Sequence, residues 1–223
     1  MNTWRSVRRR ELVRACTSSD THRFFGLGML ASAALGFFHG EAQACPNATQ
    51  KELDAGTKLV LAADDALNDD NLALARKKAQ SVVNFWTLRP EYRSAPRAPH
   101  PAEARGTFLV RRAHRVNALA VSRDPASRLE ERTEAEQTLV YLTKANPDPT
   151  LEVDAAEAMS TLPEMEPLAL MMLRARAEKD LIGSAHAYAA LERMEAHRGN
   201  EMAASVAHGR CLRMAKHPAI CAP

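Results

Sequence analysis

The chain has 223 residues, with 30 basic and 27 acidic side chains and a formal charge of +3. Six Arg and three acids fall within residues 1–44, which leaves 24 charges of each sign over the remaining 179 residues. The excess charge therefore belongs to the N-terminal segment. A neutral remainder has no net field to attract nucleic acid or an anionic membrane, and a nucleic-acid role is excluded on that ground.

That segment has a pattern of its own. Arg5, Arg8, Arg9, Arg10 and Arg14 precede Phe24–Phe38, a continuous apolar run of fifteen residues, and Ala42-Gln43-Ala44 places small residues at the −3 and −1 positions of a cleavage site. A basic start, a short apolar stretch and an A-x-A ending are the three parts of a secretory signal peptide. The run is shorter than the ~20 residues a permanent spanning helix needs. A buried core helix would leave the basic start and the A-x-A ending without a cause. Arg9-Arg10-Glu11-Leu12-Val13 also resembles a twin-arginine export motif, set apart from the apolar run by Asp20 and a polar gap. Residues 1–44 are thus expected to be removed, leaving an exported α-helical domain, residues 45–223, in the periplasm or outside the cell.

Thirty-five residues of that domain are Ala and six are aromatic. Ala is the best helix former, β-branched residues are few, and no strand pattern occurs, so the expected fold class is all-α. The first helix spans about 49–67, with Leu53, Gly56, Val60, Ala63 and Leu67 on one stripe. Asn68-Asp69-Asp70-Asn71 breaks it and supplies N-cap side chains. The second runs to about Trp86 with Leu72, Ala75, Ala79, Val82 and Trp86 on one face. Residues 88–101 hold Pro90, Pro96, Pro99 and Pro101 and read as a polyproline-like connection.

The third helix, 102–122, carries Leu109, Ala113, Val116 and Ala120 in register. Asp124-Pro125 reads as a cap followed by Pro at the first position of the fourth, which ends near Ala145. Asn146-Pro147-Asp148-Pro149 starts the fifth. Thr161-Leu162-Pro163-Glu164 has the Thr-x-x-Glu form of a capping box and opens the sixth, through Arg176. The seventh is Ser184–Arg198, stopped by Gly199, and Asn200 caps the eighth, which reaches about Lys216. About eight helices on mostly short links imply stacked antiparallel αα-hairpins.

Two hairpins resemble tetratricopeptide repeats. In the first, Ala63 and Ala75 are small where paired helices touch and Asp70-Asn71 forms the turn. In the last, Tyr188, Leu191, Gly199-Asn200 and Ala204 fall at that family's large, apolar, turn and small positions. Glu192 stands where a small residue is expected, and the helix starts keep no period of about 34 residues. The resemblance implies a helical solenoid that binds protein or peptide. A compact Ala-rich bundle is the other architecture open to this sequence.

Three cysteines follow the leading segment. Cys211 and Cys221 are close enough to pair, because the residues past Lys216 can double back over ~16 Å. Cys45 is then a lipidation site or a leftover thiol. Ala44 before it fits a lipobox, whereas Gln43 and Ala42 fit poorly. Membrane contact is expected only through the signal peptide or such a lipid. His208, Cys211, His217 and Cys221, spaced H-x2-C-x5-H-x3-C, are an alternative set of tetrahedral metal ligands. In an exported protein the Cys pair reads first as a disulfide.

No Gly-rich phosphate loop, HExxH, CxxC or Gly-x-Ser-x-Gly elbow occurs, so no cofactor and no catalytic residue are expected. Asp64-Asp65 and Asp69-Asp70 lack calcium-loop spacing and read as turn and cap residues. Met165, Met171 and Met172, with Leu168 and Leu170, read as core or packing surface. His186 and His197 have no partner pattern. Arg111 and Arg115, four apart on one face, either clamp a carboxylate-bearing peptide or form a solvated face. The expected function is a non-enzymatic, exported helical-repeat protein that binds a protein or peptide. A small metal-binding protein, or a structural envelope lipoprotein without a ligand, are the alternatives.

Overall fold

The computed structural model describes residues 46–85 and 101–222. The expected signal peptide, Cys45, Trp86 and the connection before Pro101 lie outside them. Two compact units divide the chain, residues 1–49 and 50–223; of the first, only 46–49, the opening turn of a helix, are described. The helices are α1 (Pro46–Asn68), α2 (Leu72–Val83), α3 (Pro101–Arg123), α4 (Leu129–Ala145), α5 (Pro149–Met159), α6 (Glu166–Glu178), α7 (Ala185–His197) and α8 (Glu201–Met214), with a final 3-10 turn at Pro218–Cys221. Among the described residues there is no strand. Nor is any helix long and apolar enough to cross a membrane.

The apolar stripes point inward as their spacing requires. Leu53, Gly56, Val60, Ala63 and Leu67 of α1 are buried, as are Ala75, Ala79 and Val82 of α2 and Leu109, Ala113, Val116 and Ala120 of α3. Side-chain caps fix three starts. Asn71 Oδ1 accepts from the Leu74 amide at 3.2 Å, Asp148 Oδ1 from Thr150 at 2.8 Å, and Ser184 Oγ from Ala187 at 3.3 Å.

Two starts differ from the sequence expectation. Asp124 Oδ1 accepts from the Ala126 amide at 2.9 Å and its carbonyl from Ser127 at 3.0 Å. This closes an isolated turn, and α4 begins later, at Leu129, where the Glu131 carboxylate reaches back to the Arg128 amide at 3.0 Å. Thr161 forms no capping box either. Its hydroxyl donates to the Ala158 carbonyl at 2.8 Å, so it closes the end of α5, and α6 starts at Glu166. A hydroxyl spent on the preceding helix is not available to the next one.

Three helices end in the same way. After α7 the Gly199 amide donates to Ala196 and the Asn200 amide to Glu195, both at 2.9 Å, with Gly199 at φ 72°. This is a Schellman motif with its αL residue at C′. Asp70 after α1 and Asp180 after α6, both at φ 55°, make the same pair of bonds without being glycine.

From α2 to α8 each helix packs against the next, and α3 with α5 and α5 with α7 also touch. Two apolar clusters result. The first gathers α1 to α4, the second α6 to α8 and the 3-10 turn. The short helix α5 belongs to both: Ala155 and Ala158 face the first, and Val153, Ala156 and Met159 the second. A helix apolar on all sides must sit centrally, yet α5 also carries two carboxylates. Asp154 receives Arg115 of α3 through Nε at 2.5 Å and Nη2 at 3.2 Å. Glu157 receives Arg123 of α3 at 2.6 and 3.2 Å, and the Ser184 hydroxyl at 3.0 Å. These forked pairs fix the register of α3 on α5, because a one-turn slip would strand both buried charges.

Cys211 and Cys221 form a disulfide with Cα atoms 5.9 Å apart, holding the 3-10 turn against α7 and α8. A loop of this size is worth about 2–3 kcal/mol in the chain-entropy account. Beside it, Lys216 Nζ lies 2.8 Å from Asp69, and His186 of α7 lies 3.7 Å from Asp70. One exposed ion pair from the C-terminal segment and one imidazole of α7 thus reach the α1–α2 turn.

Candidate functional site

An open groove of about 750 Å³ runs over the last three helices. α7 forms its floor through Tyr188, Leu191 and Glu195. One wall is α6, with Arg174, Ala177 and Glu178; the other is α8, with Met202, Val206, Ala207 and Arg210. Tyr188 and Leu191 are buried, whereas Met202 and Val206 are 84% and 57% exposed.

The geometry follows from α8 having two apolar faces. Ala204, Ala207 and Cys211 form the stripe buried on α7. Met202 and Val206, four apart, lie off that stripe on the groove wall. Contact between α8 and α7 is extensive; that between α7 and α6 is sparse. Among the described residues none fills the cleft between α6 and α8.

Two arginines brace the walls. Arg174 grips the Glu195 carboxylate through Nε and Nη2, both at 2.5 Å, and Asn200 Nδ2 adds a third donor at 2.9 Å. Glu195 is 2% exposed. Arg174 beside its carboxyl, and then Asn200, hold it below the usual carboxylate value against the opposing effect of burial. Arg210 Nη1 donates to the Tyr188 hydroxyl at 2.8 Å, to the Ala177 carbonyl at 3.0 Å and to Asp180 at 3.2 Å. Its guanidinium carbon also lies 5.6 Å from the Tyr188 ring centre. Both cations are thus committed within the fold. The charges left on the rim are Glu178 and Glu201, both exposed.

The residues singled out in the sequence lie mostly elsewhere. Arg115 does hold a carboxylate in a forked pair, but that carboxylate is Asp154 of this chain. Arg111 is exposed on α3, and neither residue lines the groove. Its neighbour Arg112 pairs with Asp64 at 2.6 Å. Cys211 and Cys221 are bonded to one another, so neither sulfur is a thiolate ligand for a metal. Of the two imidazoles in that set, His208 lies 3.0 Å from Glu192 and His217 is exposed. Among the described residues no group of three or more His, Cys, Asp or Glu is placed to hold a metal ion. Glu192, which departs from the tetratricopeptide pattern, has its carboxylate 3.0 Å from His208 Nδ1.

Fold and groove together define, among the described residues, an all-helical protein of stacked hairpins with an apolar cleft over its last three helices. No known family matches the chain, and neither does any curated protein or any solved structure.

Proposed function

We propose that this is an exported, non-enzymatic helical-repeat protein that binds an apolar segment of a partner protein in the α6–α8 groove. The observation that carries the reading is the exposure of Met202 and Val206 on the wall of a cleft whose floor is the buried aromatic Tyr188. Exposed apolar groups that converge on a concavity gain by being covered, at roughly 25 cal/mol per Å². Among the described residues the lining has no thiol, imidazole or aliphatic hydroxyl, which favours binding over catalysis. With Arg174 held by Glu195 and Arg210 by Tyr188 and Asp180, the exposed rim carboxylates Glu178 and Glu201 favour a segment that is apolar with a flanking Lys or Arg. Export rests on the basic start, apolar run and A-x-A ending of residues 1–44, and is consistent with the Cys211–Cys221 disulfide.

A random-peptide display selection against residues 45–223 tests this directly. The reading predicts enriched peptides with two or more large apolar side chains beside a basic one. It also predicts at least a tenfold loss of affinity in Val206→Arg, which places a charge on the wall. Enriched peptides that bind Val206→Arg as well as the parent would refute it, as would a selection that enriches none.

A further inference from the structure

A second cavity, of about 270 Å³, lies away from the groove, where the ends of α3 and α5 meet the start of α7 and the side of α4. Its wall differs in kind. Arg123 of α3, Arg132 of α4, and His186 and Arg193 of α7 all line it.

Charge accounting shows what this wall lacks. Arg123 is neutralised by Glu157. Asp124, also in the wall, is taken by Arg76 at 3.6 Å and by the Ala126 amide. Arg132 and Arg193 have no acidic partner among the described residues, and Arg132 Nε is buried without a hydrogen-bond acceptor. A guanidinium N–H withdrawn from water and left unpaired is an unsatisfied donor, and proteins seldom leave one so. The Ser160 and Thr161 hydroxyls do not satisfy it. They donate to the Glu157 and Ala158 carbonyls at 2.6 and 2.8 Å and turn lone pairs to their surroundings.

We propose that this cavity is a binding site for a small tetrahedral oxyanion, inorganic phosphate or the phosphoryl group of a small phosphomonoester. Arg132 of α4 and Arg193 of α7 reach the cavity from different helices, beside the Arg123–Glu157 pair, so cationic groups face it from more than one side. That arrangement suits a tetrahedral group better than a planar carboxylate, which one fork can satisfy. The anion neutralises the two guanidinium groups that have no acidic partner, while the Ser160 and Thr161 oxygens accept from its P–OH. The cavity is several times the ~30 Å³ that one water occupies in the liquid, which leaves room for a short organic substituent. The site is independent of the proposed groove function, shares no lining residue with the groove, and stands or falls separately.

Calorimetric titration of the protein with inorganic phosphate, glycerol phosphate and acetate, at constant ionic strength set by chloride, tests the site. The expected result is saturable one-to-one binding of phosphate, at least tenfold tighter than acetate, with a shift of the His186 ring signals in NMR. Arg132→Gln and Arg193→Gln are each expected to weaken phosphate about tenfold or more. Tighter glycerol phosphate identifies a phosphomonoester as the ligand; equal or weaker binding identifies free phosphate. Arg193 is exposed on α7, so its variant keeps the test open should Arg132→Gln fail to fold. Phosphate binding no tighter than acetate, or unchanged in Arg193→Gln, would overturn the proposal.

Discussion

Asp154 and Glu157 are three residues apart on α5, both buried and both gripped by an arginine of α3, yet their carboxyls shift in opposite directions. Burial pushes Asp154 up, with Glu157 adding to it, and Arg115 only partly offsets the rise. Burial also acts on Glu157, but Arg123, aided by the Ser184 hydroxyl, brings it below its usual value. Removing one partner of such a pair leaves the other charge buried and alone, so Arg115→Ala should destabilise by about 3 kcal/mol in urea denaturation. The double change Arg115→Met with Asp154→Leu should recover most of it. No recovery would mean that the pair stabilises beyond its register role.

The pH dependence follows with its sign. Glu157 and Glu195 have depressed carboxyls, so their stabilisation is present above the unfolded value near 4.5 and is lost as pH falls through the lower folded values. Asp154, raised from 3.8, acts in the opposite sense, being stabilising when protonated. Asp69 is lowered too, while Asp64 and Glu136 are raised with Asp154, so the loss to test below pH 4.5 is the one that Glu195 contributes. Arg174→Gln should make that loss shallower, since Arg174 is the main cause of the Glu195 shift. Denaturation midpoints of the parent and the variant at stepped pH check this; the same pH dependence below 4.5 in both contradicts the assignment. The sequence showed that Arg115 suits a carboxylate. It could not show which one, because Asp154 lies 39 residues away and the meeting depends on the packing of α3 on α5.

At the scale of the element, the helix stripes were legible because spacing alone sets which side chains share a face. Starts were legible only where one side chain had one backbone group to serve. Thr161 and Asp124 each had two, and the competing bond won. Helix ends show the same physics. Gly199 sits at φ 72° with nothing within 4 Å of where a Cβ would stand, so Gly199→Ala meets backbone strain alone. It should cost about 1 kcal/mol. At Asp180 the exchange runs the other way. Asp180→Gly relieves an αL residue at φ 55° and should stabilise by about 0.5 kcal/mol in thermal unfolding, despite losing an exposed contact to Arg210. Destabilisation instead would show that the Arg210 brace outweighs the strain. The second apolar face of α8 was also present in the sequence, as Met202 and Val206 off the 204–207–211 stripe. Composition and periodicity give it no meaning until the α6 wall stands opposite.

Across the whole molecule, the all-α class follows from the Ala content, and the pairing of neighbours follows from short links. The arrangement around α5 does not. A short helix with Ala at 155, 156 and 158 can serve two clusters because its neighbours approach it on opposite sides. That closeness is a tertiary property. The groove was hidden for a related reason, since its floor and walls come from three helices, each ordinary when read alone. The central claim is that this cleft receives an apolar, basic-flanked segment. Amide hydrogen exchange with and without a display-selected peptide tests it most directly. Added protection is expected to be confined to α6, α7 and α8, strongest around Tyr188 and residues 202–207. Protection centred on α1 to α3 instead, or none at saturating peptide, would contradict it.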